Sequence, residues 1–421
     1  MKVHPDLVAQ DAQLRRDVIE LAPGIWTAVG FAASNVHMIE GAQSVTIIDT
    51  TETTKAAENI LAAFRGLTDK PVGRIILTHS HRDHISGARV FAGGAEVPVL
   101  ASHLFKSDLV DVDAGAIAAN KALMRRTMMQ FGIGLPPDQR ISLGVGPGDR
   151  PMEGMGAGFM PPDHLISEDQ DIDLDGVPAR LVHAPGETED HLMVWLPGQR
   201  ILFSGDNWYH AFPNLYAIRG TPYRDYQAWA DSLRLMQDLA PEILAPGHTR
   251  PVMGAEAVAE RLSSTRAAIL HVMQFTAGGM DAGRSLDDIC AEITLPQEIA
   301  DKPWLKEFYG NLAWSARAFA TGTLGWYDGN PTHLGTLATR TRAQHMADLA
   351  GGVEALMARA QATTDVQWRL ELCDHLIALG APAQLMKAET METLAQAEIN
   401  ATARNTYFAG AKQLREAAQS A

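Results

Sequence analysis

Residues that commonly bind metal ions crowd into one short loop. Within six residues, after the apolar run Ile75–Leu77, the chain carries His79, His81, Asp83 and His84. An aliphatic and β-branched run of this kind is typical of a buried strand, and α/β sheets place their reactive groups where such strands end. Imidazole nitrogen and carboxylate oxygen suit zinc and similar borderline metals. The loop therefore predicts a metal site at the end of a strand.

The spacing of these ligands favours two metal ions over one. Neighbouring side chains on one loop cannot all point at a single ion. His79 and His81 can face one ion, and Asp83 and His84 can then face a second, about 3.5–4 Å away, as in two-metal hydrolases. Two ions that share a water lower its pKa toward neutrality, so hydroxide exists at pH 7 without a protein base. The expected reaction is hydrolysis by a metal-bound hydroxide.

Further candidate ligands stand beside apolar runs later in the chain. Asp206 closes the run that contains Ile201–Phe203, and His248 follows another such run through a Pro-Gly turn. His191 stands just before the apolar run Leu192–Leu196. Most of these ligand-bearing pieces therefore end a predicted strand, which favours one shared site. The remaining histidines considered lack such a setting and are expected to be structural or surface residues: His103, His164, His271, His333, His345 and His375.

Asp49 ends the apolar run Val45–Ile48 and is a candidate supporting residue. We expect it to accept a hydrogen bond from a metal-bound histidine, because such ligands usually donate their second N–H to an acceptor. The alternative is that Asp49 caps a helix that begins near Thr51.

The loop of residues 78–84, the strand Val45–Thr50 and the later His and Asp residues resemble the metallo-β-lactamase fold superfamily. The resemblance implies an αβ/βα sandwich with a metal site at one edge, but it leaves the substrate open. For the first ion it implies the ligands His79, His81 and His191. For the second it implies Asp83, His84, Asp206 and His248, with Asp206 bridging and Asp83 also counted as catalytic.

Length and composition favour a globular protein of two domains. The chain has 421 residues, of which 46% are hydrophobic and 20% charged, and this is too long for one ordinary core. The net charge of -15 argues against a nucleic-acid partner and leaves the recruitment of an anion to a local cationic pocket. Two cysteines make no disulfide framework. Without a signal-like or membrane-spanning apolar run, the expected location is cytoplasmic and away from membranes.

A second group of polar residues follows Asp206 after a short interval. Residues 212–225 contain Asn214, Arg219 and Arg224 together with tyrosines. Near a two-metal site, a guanidinium provides a planar fork that fits a tetrahedral oxyanion such as sulfate or phosphate. The alternative is a surface loop tethered by Asp225. The stretch favours a small anionic ester as the substrate.

The same stretch resembles the alkylsulfatase branch of the superfamily. In that branch the Asn and Arg of an NLYxxRG motif line the sulfate pocket, and the matching residues here are Asn214 and Arg219. The segment Leu324–Leu334 resembles a motif of the α-helical dimerisation domain that follows the catalytic domain. The resemblance implies an α/β metallo-β-lactamase-fold catalytic domain over residues 1–255, an all-α dimerisation domain over residues 256–421, and a homodimer.

The composition of the second half agrees with a helical domain. Ala- and Leu-rich segments such as Val353–Ala362 and Trp368–Leu379 have helical spacing and short linkers. Exposed apolar helix faces of this kind usually pack against a partner subunit.

Two features depart from the alkylsulfatase pattern. Members of that branch carry glutamates where this chain has His191 and Asp206, so its metal shell is expected to follow the general superfamily pattern. They also continue into a C-terminal sterol-carrier-like domain that holds the alkyl chain, whereas this chain stops at Ala421. We therefore expect an ester of a short or compact alcohol.

The sequence as a whole predicts a dinuclear metal hydrolase, with zinc as the expected metal, that cleaves a sulfate ester. The main alternative is a phosphoester, lactone or thioester cleaved by the same hydroxide. An iron-dependent redox reaction is a further alternative, because some superfamily members carry out such chemistry. The last is a non-catalytic assembly protein whose metal site is only structural.

One long segment fits no regular element. A helix predicted over Ser102–Phe131 leads into Gly144–Pro162, which is rich in glycine, proline and methionine. Long irregular loops in compact domains are often lids or substrate walls. Both a wall or lid at the mouth of the site and a disordered connector fit this composition.

Overall fold

A computed structural model describes residues 2–107 and 117–420 of the chain. Its strands are β1 (Asp17–Ala22), β2 (Ile25–Val29), β3 (Val36–Glu40), β4 (Val45–Ile48), β5 (Val72–Ile76), β6 (Val99–Ser102), β7 (His164–Ile166), β8 (Gln170–Asp173), β9 (Pro178–His183), β10 (Leu192–Leu196), β11 (Ile201–Gly205), β12 (Ile243–Pro246) and β13 (Val252–Met253). Its α-helices are α1 (Pro5–Gln13), α2 (Thr54–Arg65), α3 (Arg82–Ile85), α4 (Ala88–Ala92), α5 (Ile117–Gln130), α6 (Tyr226–Leu239), α7 (Ala255–Asp281), α8 (Leu286–Glu292), α9 (Gln297–Ala300), α10 (Leu312–Leu324), α11 (Thr339–Ala350), α12 (Val353–Ala362), α13 (Val366–Leu379), α14 (Gln384–Ala397) and α15 (Ala401–Ser420). None of these helices combines the length and the apolar character that crossing a membrane requires.

The strands of the described residues form two sheets. Strands β1 to β7 lie side by side in chain order, and the second sheet has the order β13-β12-β11-β10-β9-β8. The neighbours from β4 through β7 run parallel, and β11 runs parallel to β12. Parallel neighbours bring their carboxyl ends to the same edge of a sheet. The predicted ligand loops leave β5, β11 and β12, so the topology gathers them.

The two sheets pack face to face and carry helices on their outer faces. The core between them includes Ile48, Ile76, Leu192 and Phe203, all fully buried. Helices α2 and α4 cover the first sheet, and α6 and α7 cover the second. The layer order is the predicted αβ/βα sandwich, and a helical region follows it along the chain.

Helix α2 illustrates how the sequence specifies a covering helix. Thr53 caps its first turn by accepting a hydrogen bond from the N–H of Ala56, which satisfies a donor that has no partner within the helix. Ile60 and Phe64, four residues apart, lie on one face and are buried against the first sheet.

The helix predicted for Ser102–Phe131 is wrong at its start. Ser102 is the last residue of β6 and pairs with Ile166 of β7, a strand that the sequence did not reveal. Ser102 therefore continues the β-prone strand before it, and that strand gains β7 as a parallel neighbour. Helix α5 spans Ile117–Gln130, and residues 108–116 of the prediction lie outside the described residues.

The glycine-rich segment 144–162 is anchored to the first half of the sandwich. Arg150 Nε donates to Glu52 Oε1 at 2.7 Å, and both side chains are buried. Gly146 lies so close to the backbone of Ala33 that a Cβ would overlap the Ala33 carbonyl oxygen. The segment is therefore packed against the sandwich, and a disordered connector is wrong. A wall at the mouth of the site stays a prediction, and so does its closing over a substrate.

Arg150→Met should lower the free energy of unfolding by about 3–5 kcal/mol, because it leaves the Glu52 carboxylate buried without its charge partner. A matched control is Lys55→Ala, which breaks the exposed pair Lys55–Glu58 and should cost less than about 1 kcal/mol. Urea unfolding followed by circular dichroism measures both. Equal unfolding midpoints for the two variants would contradict a stabilising role for the buried pair.

Candidate metal centre

Loops at the ends of parallel strands bring six of the seven predicted ligands into two groups. In each group the ligand atoms lie within 4.8 Å of one another. The first group is His79, His81 and Asp206, and the second is Asp83, His84 and His248. The grouping of the four loop residues is the one predicted from their spacing. That these residues bind metal ions stays a prediction, which their arrangement supports.

Asp206 lies between the two groups. Its Oδ2 is 3.1 Å from His248 Nε2, 3.3 Å from His84 Nε2 and 3.7 Å from His79 Nε2. Asp83 Oδ2 is 3.4 Å from His248 Nε2. One carboxylate therefore adjoins histidines of both groups, which is the position that a bridging ligand needs.

Asp49 holds the His84 ring from behind. Its Oδ2 lies 2.8 Å from His84 Nδ1, and its Oδ1 accepts the Thr78 N–H at 2.8 Å. This contact leaves His84 Nε2 directed at the cluster. The hydrogen bond predicted for Asp49 is present. Helix α2 is capped by Thr53 instead, so the alternative role of Asp49 as a helix cap is wrong.

His191 is not grouped with the other ligands. It is buried and stacks on His79, with ring centroids 5.0 Å apart. Its Nε2 accepts the backbone N–H of Asp206 at 3.0 Å. The lone pair of Nε2 is therefore engaged, while Nδ1 is buried without a hydrogen-bond partner among the described residues. The assignment of His191 to the first ion stays a prediction, and this hydrogen bond argues against it.

Glu187 faces the cluster from the loop that follows β9. Its Oε1 lies 2.7 Å from Arg224 Nη1 and 4.0 Å from His81 Nδ1. The side chain is buried, and its Oε2 has no hydrogen-bond partner among the residues that the structure describes. Glu187, like His191, stands outside the two ligand groups, but a buried carboxylate this close to His81 is a candidate to complete the first group.

The charges of the cluster depend strongly on one another. Burial disfavours a charged His248, but the Asp206 and Asp83 carboxylates outweigh it and raise the pKa of His248 to about 10. The pKa of His84 is likewise raised well above its ordinary value, because Asp206 and other carboxylates outweigh burial. Burial raises the pKa of Glu187 to about 7 against the opposing charge of Arg224. Protonated imidazoles thus balance the negative charge of the carboxylates. Bound cations would bring the same positive charge.

Three buried atoms of the two ligand groups and Glu187 have no hydrogen-bond partner within the described part of the chain. They are His84 Nε2, Asp206 Oδ1 and Glu187 Oε2. Buried polar atoms are normally paired, and bound cations could satisfy these three. Imidazole nitrogen together with carboxylate oxygen is a donor set of zinc and related metals. The residues therefore fit divalent metal ions.

The residues predicted to bind an anion lie beside the first ligand group. Asn214 is buried, donates its backbone N–H to Tyr209 Oη at 2.7 Å, and accepts a hydrogen bond from Arg224 at its carbonyl. After burial, the charges of Arg219 and Arg224 are the largest causes that lower the pKa of His81. Arg224 is also linked to His81 through Glu187, whose Oε1 lies 2.7 Å from Arg224 Nη1 and 4.0 Å from His81 Nδ1.

Two residues of this site were missed from the sequence. Glu187 follows strand β9 through a Pro-Gly turn, which is the signal that pointed to His248 after its own strand. Arg224 stood in the same stretch as Arg219, but only its ion pair with Glu187 reveals that it faces the site. Asp225, considered as a surface tether, accepts the Ala228 N–H and caps α6.

Comparison with protein families places two regions of the chain. Residues 29–248 match the family model of the metallo-beta-lactamase superfamily. Residues 285–417 match the family model for alkyl sulfatase dimerisation. The first match contains every predicted metal ligand, and the second lies within the helical region.

Among known proteins, the chain is similar to several alkylsulfatases. It is 31% identical over 388 residues to a linear primary-alkylsulfatase of Pseudomonas sp. (strain ATCC 19151), covering 90% of this chain and 73% of that protein. It is 29% identical to the alkyl/aryl-sulfatase BDS1 of Saccharomyces cerevisiae, covering 98% of this chain and 66% of that protein.

A solved structure extends this likeness to the fold. The inverting sec-alkylsulfatase Pisa1 from Pseudomonas sp. superposes with a TM-score of 0.90 and 27% identity, covering 98% of this chain and 68% of that chain. The chain spans between 62% and 73% of the length of four alkylsulfatase relatives.

Two variants should separate the competing ligands of the first ion. Glu187→Gln should lower the metal content from two ions per chain toward one, because it removes a charged oxygen donor. His191→Gln should keep both ions and lose only stability. Elemental analysis by mass spectrometry after exhaustive dialysis measures the content, with the exposed neighbour Glu189→Gln as control. Full metal content in Glu187→Gln and loss in His191→Gln would restore the original assignment.

Proposed function

Because the chain belongs to the alkylsulfatase branch of the metallo-β-lactamase superfamily, we propose that it is a metal-dependent hydrolase of sulfate esters. The observation that carries the proposal is the ion pair Glu187–Arg224, which joins a candidate metal ligand to a guanidinium. Cations and a guanidinium that meet at one carboxylate form a pocket for the anionic end of an ester.

The fold family implies divalent metal ions, and we propose zinc for both positions. Our proposed ligands for the first ion are His79, His81, Glu187 and Asp206. Our proposed ligands for the second ion are Asp83, His84, His248 and Asp206. Bound cations would supply an activated water and positive charge for the leaving group. Asp83 keeps its proposed catalytic role because its Oδ2 lies beside both histidines of the second group, 3.4 Å from His248 Nε2 and 3.6 Å from His84 Nε2.

The residues of the chain itself bind and orient the anion in this proposal. Arg224 is fixed by Glu187 and by the carbonyl of Asn214, while its Nε and Nη2 are buried and have no hydrogen-bond partner in the described parts of the chain. Those N–H groups are available to sulfate oxygens. Arg219 donates through Nη1 to the Gly220 carbonyl at 2.9 Å, which restrains its side chain next to the pocket.

A phosphate monoester is the second candidate substrate, because a guanidinium fork fits sulfate and phosphate alike. We keep the sulfate ester as the leading substrate on the strength of the alkylsulfatase relatives.

The test is sulfate release from the zinc-loaded protein, measured by ion chromatography. Short, branched and long alkyl sulfates are offered, with phosphate monoesters, lactones and thioesters alongside. We expect sulfate from short alkyl sulfates and none from the His79→Ala variant, which lacks a proposed ligand. Turnover of another ester class, with no sulfate from any alkyl sulfate, would overturn the proposed reaction.

In the same assay, Arg219→Ala should cost about 2–4 kcal/mol of transition-state stabilisation if the guanidinium binds the anion. That is roughly 30- to 1000-fold in kcat/KM. The control is Arg284→Ala, which removes an arginine paired with Glu292 in the helical region. An unchanged rate for Arg219→Ala would remove this residue from the pocket.

We also propose that the chain forms a homodimer through an exposed arm, residues 322–338, within the region that matches the dimerisation model. Four large apolar side chains of this arm are exposed: Leu324, Trp326, Leu334 and Leu337. Trp326 is 73% exposed. Apolar side chains grouped in this way usually mark an interface. The domain boundary at residues 255 and 256 stays a prediction, and α7 begins at Ala255.

The double variant Trp326→Ser/Leu334→Ser should weaken the dimer by about 100-fold or more, because each side chain buried in an interface contributes about 1.5–3 kcal/mol. Sedimentation velocity across a dilution series measures the dissociation constant. The control is Leu349→Ser, which removes an 84% exposed leucine outside the arm. Equal dissociation constants for the double variant and wild type would place the interface elsewhere.

A further inference from the structure

A buried asparagine that is not a candidate ligand holds the loop of His248. Asn35 is 2% exposed, and its Nδ2 donates to the carbonyls of Pro246 at 2.9 Å and Thr249 at 2.7 Å. Its backbone N–H donates to the Gly247 carbonyl at 2.6 Å. The three acceptors flank His248 on both sides, so Asn35 fixes the backbone from which that ring projects.

The residues just before Asn35 contact the same ligand group. The carbonyl of Ala33 lies 2.7 Å from His248 Nδ1, which leaves Nε2 of that ring for the cluster. The Ser34 hydroxyl donates to the backbone carbonyl of Asp83. The turn at residues 33–35 therefore holds two members of the second ligand group at once.

A second buried asparagine does the corresponding work for Glu187. Asn207 is fully buried, and its Oδ1 accepts the Glu187 N–H at 3.1 Å while its Nδ2 donates to the Ala184 carbonyl at 2.6 Å. Gly186 packs on this amide so closely that a Cβ would overlap its oxygen. The segment from Ala184 to Glu187 is thus held at both ends by one side chain.

We propose that Asn35 and Asn207 are positioning residues, one for each metal. Asn35 would fix the second ligand group through the backbone around His248, and Asn207 would fix Glu187 for the first. The proposal rests on the two-metal site proposed above. Its physical basis is that removing a buried donor strands the carbonyls it served and frees a loop that must hold a ligand within tenths of an ångström.

The two amides differ in a way that a single substitution exploits. Both side-chain bonds of Asn35 are donated by its NH2 group, so Asn35→Asp loses both and places a carboxylate against two carbonyl oxygens. Asn207 donates one bond and accepts the other, so Asn207→Asp keeps the bond from the Glu187 N–H. Asn35→Asp should therefore weaken zinc binding at its own site more than Asn207→Asp weakens it at the other. The two Ala variants should weaken zinc binding to a similar extent.

The experiment measures stepwise Zn²⁺ affinity of metal-free protein by competition with a chromophoric chelator. In wild type we expect two ions per chain. Each Ala variant should weaken one binding step by about 10- to 100-fold. Placing them in His79→Ala and His248→Ala backgrounds assigns the step. In the His79→Ala background, only Asn35→Ala should further weaken the binding of the remaining ion. With His248→Ala, only Asn207→Ala should do so.

Asn400→Ala is the matched control for loss of a buried amide. Asn400 is 1% exposed, and its Nδ2 donates to the carbonyls of Glu307 and Tyr309, each at 2.9 Å. It should lower the unfolding temperature of the metal-free protein without changing either zinc affinity. Should Asn35→Ala not fold, Asn35→Ser replaces it, because a hydroxyl keeps one donor.

The outcomes separate this inference from the function on which it rests. Fewer than two ions in wild type would overturn the two-metal site itself. Two ions in wild type, with zinc affinities in both Ala variants equal to wild type, would overturn the positioning roles alone. Equal weakening of both steps by either variant would also overturn them, since it would show general loosening of the fold.

Discussion

Buried negative charge is the constraint on which the candidate site depends. The carboxylates of Asp49, Asp206 and Glu187 lie where solvent hardly reaches them, and a buried carboxylate needs a cation or several hydrogen-bond donors. Arg224 meets Glu187, and His84 lies between Asp49 and Asp206. Within residues 2–107 and 117–420, these partners still leave Asp206 Oδ1 and Glu187 Oε2 without a hydrogen-bond partner. Divalent cations are the partners whose chemistry matches what remains.

The surrounding fold serves to hold these charges at fixed distances. The parallel strand ends supply the ligand loops, and a second set of buried hydrogen bonds restrains them. One such path starts in the glycine-rich segment, where Arg150 binds Glu52. Glu52 accepts the Ala33 N–H at 3.3 Å, and the Ala33 carbonyl lies 2.7 Å from His248 Nδ1. A segment without regular structure thereby supports a ring of the cluster.

Local signals made much of the site predictable. The residues from His79 to His84 stand out because donors cluster after an apolar strand, and Asp206 stands out because it ends one. Glu187 and Arg224 gain their meaning from a contact between two loops, which periodicity does not encode. His191 was assigned through the superfamily pattern, yet a backbone N–H occupies its Nε2. The sequence could identify His191 as a residue able to bind a metal. It could not show which group occupies the lone pair of its ring.

The sandwich was predictable for a similar reason, since its central strands are continuous apolar runs. Edge strands were not. Strand β8 has the sequence Gln-Asp-Ile-Asp and is largely exposed, so it carries little hydrophobic pattern. Strand β7 is also short and mostly exposed. Such strands owe their conformation to the strand with which they pair. That pairing is a tertiary contact, which local sequence patterns do not encode.

The helical region and the anion pocket depend on one another in the same tertiary way. The Arg219 N–H donates to Gln130 Oε1 at 2.8 Å, and Asn405 Nδ2 of helix α15 donates to the Gln130 carbonyl at 3.2 Å. Gln130 and Asn405 are both buried, although 275 residues separate them. The C-terminal helix therefore braces the residue that holds the backbone of Arg219. The region matched to dimerisation thus also supports the loop that carries Arg219, a residue of the proposed anion pocket.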